Sequence, residues 1–373
     1  MDTPRCLYVH VPYCERKCPY CAFNSYAGSH RDEAETYLDA LLAELGALGS
    51  ALQLETIYVG GGTPTALAPS ALARLLDNLR RVSSPREWTV EANPGTVTPE
   101  HIKALVAAGV NRISMGVQSM APDGLKRMGR IHTADDVRDT VRALRESGIR
   151  NINLDLIYGQ PDQDVEAFVS DVEAVLDLQP DHLSLYALQY EEGTSFTKAR
   201  DAGRLQEASE DTVLAQFHAA QTRLVAAGFS QYEVSNFARP GRRSLHNLNY
   251  WRNLPYYGIG AGAWGCVDGH RVLNESEPRT YARRVLEEGT ACVSKEELGP
   301  QETYLETLAA GLRTAEGVDL ETLHERTGLD ARVRHGDHLN MIVERGLGAM
   351  SDGRLVLTTD GLWVLDELLL PFA

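Results

Sequence analysis

An α/β chain built round a parallel sheet is what this sequence predicts, and three observations carry that expectation. Between residue 7 and about residue 230, short apolar runs alternate with amphipathic stretches six times. From 231 to about 300 the rhythm breaks into a region rich in Tyr, Trp, Asn and Gly. From Gln301 it changes again, to helical stretches followed by a short apolar repeat around Asp352-Gly353. Six β-then-α units in series imply parallel strands covered by helices. They suit an incomplete (β/α)6 barrel or an open doubly wound sheet. Both architectures gather ligand sites at the C-terminal ends of the strands.

The elements follow in order. Strands are expected at 7–11, 56–59, 88–91, 112–115, 152–155 and 182–186. Several of these are short runs with alternating or continuous apolar residues, closed by Gly or polar positions. Tyr37, Leu38, Leu41, Leu42, Leu45 and Leu48 repeat at helical spacing and bury one face. Residues 99–108, 134–147 and 164–178 read the same way, and Gly109 and Gly148 follow two of these runs where a C-cap belongs. The chain therefore divides into a core domain at 1–230, an irregular, strand-containing extension at 231–300 and a helical module at 301–373. Residues 348–357 read as a hairpin turning at Asp352-Gly353. Helices followed by a hairpin suggest a winged-helix-like module. It lacks the basic stripe of a DNA binder, which favours a packing or partner role.

Lys and Arg total 36 and Asp and Glu 52, for a formal charge of −16. So acidic a surface repels phosphate backbones, and no nucleic-acid partner is expected. No run of roughly eighteen apolar residues occurs, so no transmembrane helix is expected. Met1-Asp2-Thr3-Pro4-Arg5-Cys6 lacks the apolar core and cleavage site of a signal peptide, which makes a cytoplasmic location the expectation.

Of six cysteines, three crowd into Cys14-Glu15-Arg16-Lys17-Cys18-Pro19-Tyr20-Cys21, directly after the first strand. In a reducing compartment this clustering reads as metal or redox chemistry. Three thiolates on one short loop suit an iron–sulfur cluster with one iron left open to an exchangeable ligand. Other readings stand beside it. Cys18-Pro19-Tyr20-Cys21 matches a dithiol redox site but leaves Cys14 without a role. Zinc has three Cys and His10 available, although His10 falls inside the strand. The thiols are also free to be unrelated.

Further residues bear on the choice. Gly60-Gly61-Gly62-Thr63-Pro64 follows the second strand, and Glu91-Ala92-Asn93-Pro94 ends the third. Gly116-Val117-Gln118-Ser119 follows the fourth, Arg130 comes soon after, and Asp155-Leu156-Ile157-Tyr158-Gly159 closes the fifth. A carboxylate or guanidinium buried at a strand end is costly unless paired, either by mutual salt bridges or by a bound ligand. Cys-x3-Cys-x2-Cys in this setting resembles the signature of the radical S-adenosylmethionine (SAM) superfamily. That resemblance implies a partial (β/α)6 barrel and a [4Fe–4S] cluster on Cys14, Cys18 and Cys21, with SAM chelating the fourth iron. It implies cofactor contacts from Tyr8, Tyr20, Gly61, Gly62, Thr63, Glu91, Gln118, Arg130 and Asp155. Arg130 suits the SAM carboxylate as a fork-shaped donor.

Within the superfamily the chain resembles the group that holds oxygen-independent coproporphyrinogen III oxidase and the HemW-like heme chaperones. The oxidase pattern requires a fourth Cys two positions after Cys21, where this sequence has Phe23, and a long segment before the cluster. Both departures point to the chaperone branch. His246-Asn247-Leu248-Asn249-Tyr250-Trp251 resembles the His-Asn-x-x-Tyr-Trp motif of that branch. It implies heme contact by His246, Asn247, Tyr250 and Trp251, with His246 as a candidate axial ligand. The implied partners are heme, a heme-accepting protein and an electron donor for the cluster. The alternatives are oxidative decarboxylation of coproporphyrinogen III and thiol redox chemistry.

Overall fold

The computed structural model describes residues 3–28, 31–49 and 52–372, with the side chains of Arg31 and Asp32 outside that description. The expectation drawn from Met1-Asp2 lies outside the described residues. One sheet of nine strands organises the chain. Its strands are β1 (Cys6–Val11), β2 (Thr56–Gly61), β3 (Glu87–Ala92), β4 (Arg112–Gln118), β5 (Asn151–Tyr158), β6 (His182–Ala187), β7 (Ser230–Gln231), β8 (Asn236–Ala238) and β9 (Tyr257–Ile259). The spatial order is β9-β1-β2-β3-β4-β5-β6-β8-β7. The first six strands are parallel and sit in chain order. A doubly wound sheet reverses its order at a switch point. This one does not, so it is the sequential sheet of an incomplete barrel. Among the described residues its two edges, β9 and β7, do not pair and the sheet stays open.

Period-2 alternation explains what each face does. Leu7, Val9, Ile57, Val59, Val90, Ile113, Met115, Ile152, Leu154, Leu183 and Leu185 are buried in one core beneath the helices. The intervening residues are polar and bond to one another across the opposite face. Asn153 donates to Ser114 Oγ at 2.8 Å and to Asp155 Oδ1 at 2.7 Å, and its own oxygen pairs with His182 Nδ1 at 2.6 Å. Arg112 lies fully buried among them. An inner face this polar is a ligand-facing surface rather than a barrel core.

The helices cover the apolar side. They include Arg31–Ala47, Pro69–Val82, Pro99–Ala108, Ala134–Glu146, Val165–Leu176 and Glu210–Ala226. Helix Pro99–Ala108 has a Thr98–His101 capping box at its start and ends at Gly109 in the left-handed region.

Residues 231–300 are joined to the core. β8 pairs antiparallel with β6, and β9 pairs parallel with β1, so this segment covers both edges of the six-stranded sheet. The rest of it forms a small antiparallel sheet, Trp264–Val267, His270–Asn274 and Cys292–Glu297. The C-terminal module has its own apolar core, including Tyr304, Leu308, Leu323, Ile342 and Leu355. Its helices Pro300–Gly311, Leu320–Thr327 and Ala331–Glu344 precede a hairpin, Gly348–Ser351 with Arg354–Leu357. Asp352 and Gly353 turn it with φ of 50° and 77°, both positive as a type I′ turn requires. No helix among the described residues is long and apolar enough to cross a membrane.

Candidate functional site

A cavity of about 390 Å³ opens at the C-terminal ends of the parallel strands. Cys14, Cys18 and Cys21 all line it, and all are free thiols of intermediate exposure. The loop that carries them is tied down from several sides. Tyr26 N donates to Pro12 O at 2.7 Å, and Asn24 Nδ2 donates to Ala261 O at 3.0 Å and to Ser276 O at 2.9 Å. Lys17 Nζ closes the loop on Ser25 O at 3.1 Å. Each thiol has a polar neighbour: Cys14 Sγ lies 3.5 Å from Thr63 Oγ1, Cys18 Sγ 3.4 Å from Arg130 Nη1, and Cys21 Sγ 4.0 Å from Ser25 Oγ.

No three described Cys, His, Asp or Glu side chains converge as a single metal ion would require. His10 is also committed: it is buried, with Nε2 2.8 Å from Asn24 O and Nδ1 2.9 Å from Tyr8 OH. The thiols stand round the cavity instead. A four-iron cluster takes one thiolate per corner iron, so this spread fits a cluster better than zinc.

The cavity wall fits a zwitterion. Gly61 and Gly62 bring backbone to its edge. A Cβ at Gly61, whose φ is +110°, would lie 2.4 Å from His10 Cε1, and one at Gly62 would lie 2.6 Å from Tyr13 O. Glu91 accepts from Tyr58 OH at 2.6 Å and from Gly61 N at 3.0 Å. It faces the cavity but is enclosed by protein, and burial, reinforced by the Asp155 charge, pushes its carboxyl up to about 7. Burial likewise raises Asp155. Arg130 Nη2 donates to Asn93 Oδ1 at 2.5 Å and to Gly116 O at 2.6 Å, while its Nε is buried without a partner. Gln118 Oε1 is buried and unpartnered too, on a residue at a β-bulge with φ of 69°. Buried polar atoms are nearly always paired, so these two orphans on one cavity wall have hydrogen-bonding capacity a ligand could take up. Asp171 holds the following loop in place, accepting from Ser119 Oγ at 2.8 Å and Met120 N at 2.7 Å.

Of the residues expected to contact the cofactor, Tyr20, Gly61, Gly62, Thr63, Glu91, Gln118, Arg130 and Asp155 line this cavity. Tyr8 does not; it lies on the inner face beside Tyr58, their rings 6.2 Å apart. Tyr58, Asn93, Ser114 and Tyr186 line the cavity although the sequence reading passed over them. Each sits on an inward position of β2, β4 or β6 or just past the end of β3, which was the available signal.

The His-Asn-x-x-Tyr-Trp stretch lies elsewhere. It forms helix Leu245–Trp251, seated against the N-terminal ends of β2 and β3. Glu87 caps it, accepting from Leu245 N at 2.9 Å and His246 N at 3.0 Å. His246 is buried, with Nδ1 2.7 Å from Thr56 Oγ1 and Nε2 2.8 Å from Tyr250 OH. Burial and the nearby Arg112 charge lower it to about 3, so it is neutral. With both ring nitrogens engaged, it has no lone pair turned toward an iron.

Comparison with known proteins fits this architecture. Residues 8–172 match the radical SAM superfamily model, and residues 298–364 match the HemN C-terminal domain. The "Heme chaperone HemW" of Bacillus subtilis is 36% identical over 361 residues, covering 95% of both chains. The chain belongs to the HemW family of radical SAM proteins. The Escherichia coli "Heme chaperone HemW" is 41% identical over 285 residues, 74% of each chain. "Radical S-adenosyl methionine domain-containing protein 1, mitochondrial" of Mus musculus is 35% identical across 99% of this chain and 87% of its own. Among solved structures, the radical SAM enzyme coproporphyrinogen III oxidase (HemN) of E. coli matches with a TM-score of 0.85 at 24% identity, covering 100% of this chain and 90% of that one. That likeness bears on the fold alone. The radical SAM fold of a HemW-family chain thus agrees with the expected class.

Proposed function

We propose that this protein binds heme and hands it to an acceptor protein, using a SAM-bound [4Fe–4S] cluster held by Cys14, Cys18 and Cys21. The observation that carries the cofactor half is the cavity itself: three free thiols face a wall of unpartnered Gln118 and Arg130 atoms and two enclosed carboxylates. The heme half rests on the relatives named heme chaperones.

In this reading Arg130 takes the SAM carboxylate, and Glu91, Gln118 and Asp155 take its amino and ribose groups. The backbone of Gly61, Gly62 and Thr63 closes over the amino end. Cys14, Cys18 and Cys21 would hold the cluster, which would supply an open iron and, with an external electron donor, a reducing electron. Residues 1–230 carry these cofactors, and residues 231–373 supply the surfaces for heme and acceptor.

The test is anaerobic reconstitution followed by heme titration and an assay with coproporphyrinogen III. Saturable heme binding without porphyrinogen turnover is the expected result. Turnover without heme binding would overturn the chaperone reading in favour of the oxidase. Phe23, where the oxidase pattern requires Cys, is 71% exposed at the cavity edge and offers no ligand to metal.

A further inference from the structure

We propose that Thr63 and Asn93 set the reduction potential of the cluster, through a hydrogen-bond chain that starts at Arg130 and ends as an O–H···S bond on Cys14. The inference rests on the cluster reading above and gives two further side chains a task in it.

Chemistry fixes the direction of every link. A guanidinium donates hydrogen bonds and accepts none. Arg130 Nη2, 2.5 Å from the Asn93 side chain, therefore faces its oxygen, Oδ1. The amide nitrogen of Asn93 is left to donate, and it does so to Thr63 Oγ1 at 2.8 Å. With that oxygen accepting from Asn93, the hydroxyl hydrogen is turned to Cys14 Sγ, 3.5 Å away. A metal-bound thiolate has no hydrogen to give, so it takes the bond in the direction the chain imposes. Arg130 Nη1 meanwhile reaches Cys18 Sγ at 3.4 Å.

The surroundings hold this chain in place. Thr63 stands at the N-cap of the short 3₁₀ turn Pro64–Ala66, where a threonine hydroxyl ordinarily accepts from the backbone of the turn; here it makes no such bond. Its own N–H donates to Tyr13 O at 2.7 Å, which locks residue 63 beside the first cysteine of the loop. Thr96 grips the Asn93 carbonyl, with N and Oγ1 donating to it at 3.1 Å and 2.7 Å. Gly116 leaves room for the amide, since a Cβ there would lie 3.0 Å from Asn93 Oδ1.

The consequence is electrical. One-electron reduction adds negative charge to the sulfurs of an iron–sulfur cluster, and donated hydrogen bonds stabilise that charge and raise the potential. The O–H···S bond to Cys14 thus eases reduction. The electron comes from an external donor, and the hydroxyl keeps its proton. Asn93 acts through Thr63 and is a positioning residue: it keeps the hydroxyl hydrogen on Cys14.

The test is an anaerobic redox titration of the full-length reconstituted protein with titanium(III) citrate, without SAM, read by the electron paramagnetic resonance signal of the reduced cluster. Thr63→Val keeps the shape and removes the hydroxyl, so its midpoint should fall below wild type, while Thr63→Ser should stay near it. Asn93→Asp still accepts from Arg130 but offers Thr63 a carboxylate, which turns the hydroxyl away from Cys14, so its midpoint should fall too. Added negative charge lowers a potential by itself, and the decisive comparison is Asn93→Asp made on Thr63→Val. There the hydroxyl is already gone, and the shift should be smaller than in the wild-type background. Equal shifts in both backgrounds overturn the part given to Asn93. A Thr63→Val protein with full iron content and the wild-type midpoint overturns the bond to Cys14 while the cluster reading stands. A wild type that assembles no cluster overturns that reading itself.

Discussion

The two ends of the polar inner face are built from the same residue types and end in opposite states. At the C-terminal ends of the strands, Gln118 Oε1 and Arg130 Nε stand unpartnered and Glu91 is held near neutrality. At the N-terminal ends, helix Leu245–Trp251 fills the space. Glu87 accepts two backbone N–H groups there, and both His246 nitrogens are bonded. Arg112, with its Nε unpaired, lies between them. The difference teaches that polarity alone does not mark a site on this sheet. At the cavity end part of the polar capacity is left unspent, whereas at the other end Glu87 and both nitrogens of His246 have theirs filled.

Four measurements test that contrast. The largest effect is expected from Cys18→Ala, which would remove one corner of the proposed cluster. Iron after anaerobic reconstitution should fall sharply from about four per chain. Cys6→Ala and Cys292→Ala should leave it intact, and full iron content in Cys18→Ala would remove the cavity's claim to a cluster. Next, Arg130→Ala should weaken SAM binding by roughly tenfold or more, since one charge-assisted contact is worth about 1.5–3 kcal/mol. Isothermal titration reads this; the denaturation midpoint should fall as well, because Asn93 Oδ1 and Gly116 O lose their donor.

His246→Ala should lower stability alone. It removes the imidazole partner of Thr56 Oγ1 and Tyr250 OH, at a cost of about 1–3 kcal/mol in unfolding free energy. SAM affinity and iron content should hold. A variant as stable as wild type would break the contrast between the two ends.

The smallest effect is one of pH. Glu91 sits near 7, so its ionised fraction rises through neutrality, and a cationic ammonium binds the ionised form better. SAM affinity should therefore climb a few-fold from about pH 6 to about pH 8, and Glu91→Gln should flatten the climb. Stability of the ligand-free chain has the opposite sign. A carboxyl raised on folding stabilises below its ordinary range, and that contribution is lost as pH rises through about 7.

Much of this was legible in the sequence, and the reasons for the rest are physical. The six parallel strands and helix Pro99–Ala108 could be read because period-2 and period-3.6 patterns report burial directly. β8 and β9 could not, because three residues at a sheet edge are too few to show a period. The cavity residues were legible as polar oddities at strand ends. Tyr58 was not, because an inward aromatic on a strand reads as core. The burial of His246 was illegible for another reason: a motif names residue types and not the direction in which a helix turns them. Only the contacts with Thr56 and Tyr250 reveal that this imidazole is spent.

The anchoring of the cysteine loop has a consequence for the order of events during synthesis. Asn24 reaches Ala261 and Ser276, Tyr37 OH bridges His10 O and Ala261 N, and β1 gains its outer neighbour only when residues 257–259 arrive. The three thiols are made well before these partners, and their loop waits for more than two hundred further residues. At about 5–20 residues per second that interval is on the order of 10–50 s. Through it the thiols are exposed to whatever metal or oxidant the nascent chain meets. If the loop holds a cluster, its anchored form is available only after residues 257–276 have been made, and premature capture of another ligand is the hazard before then.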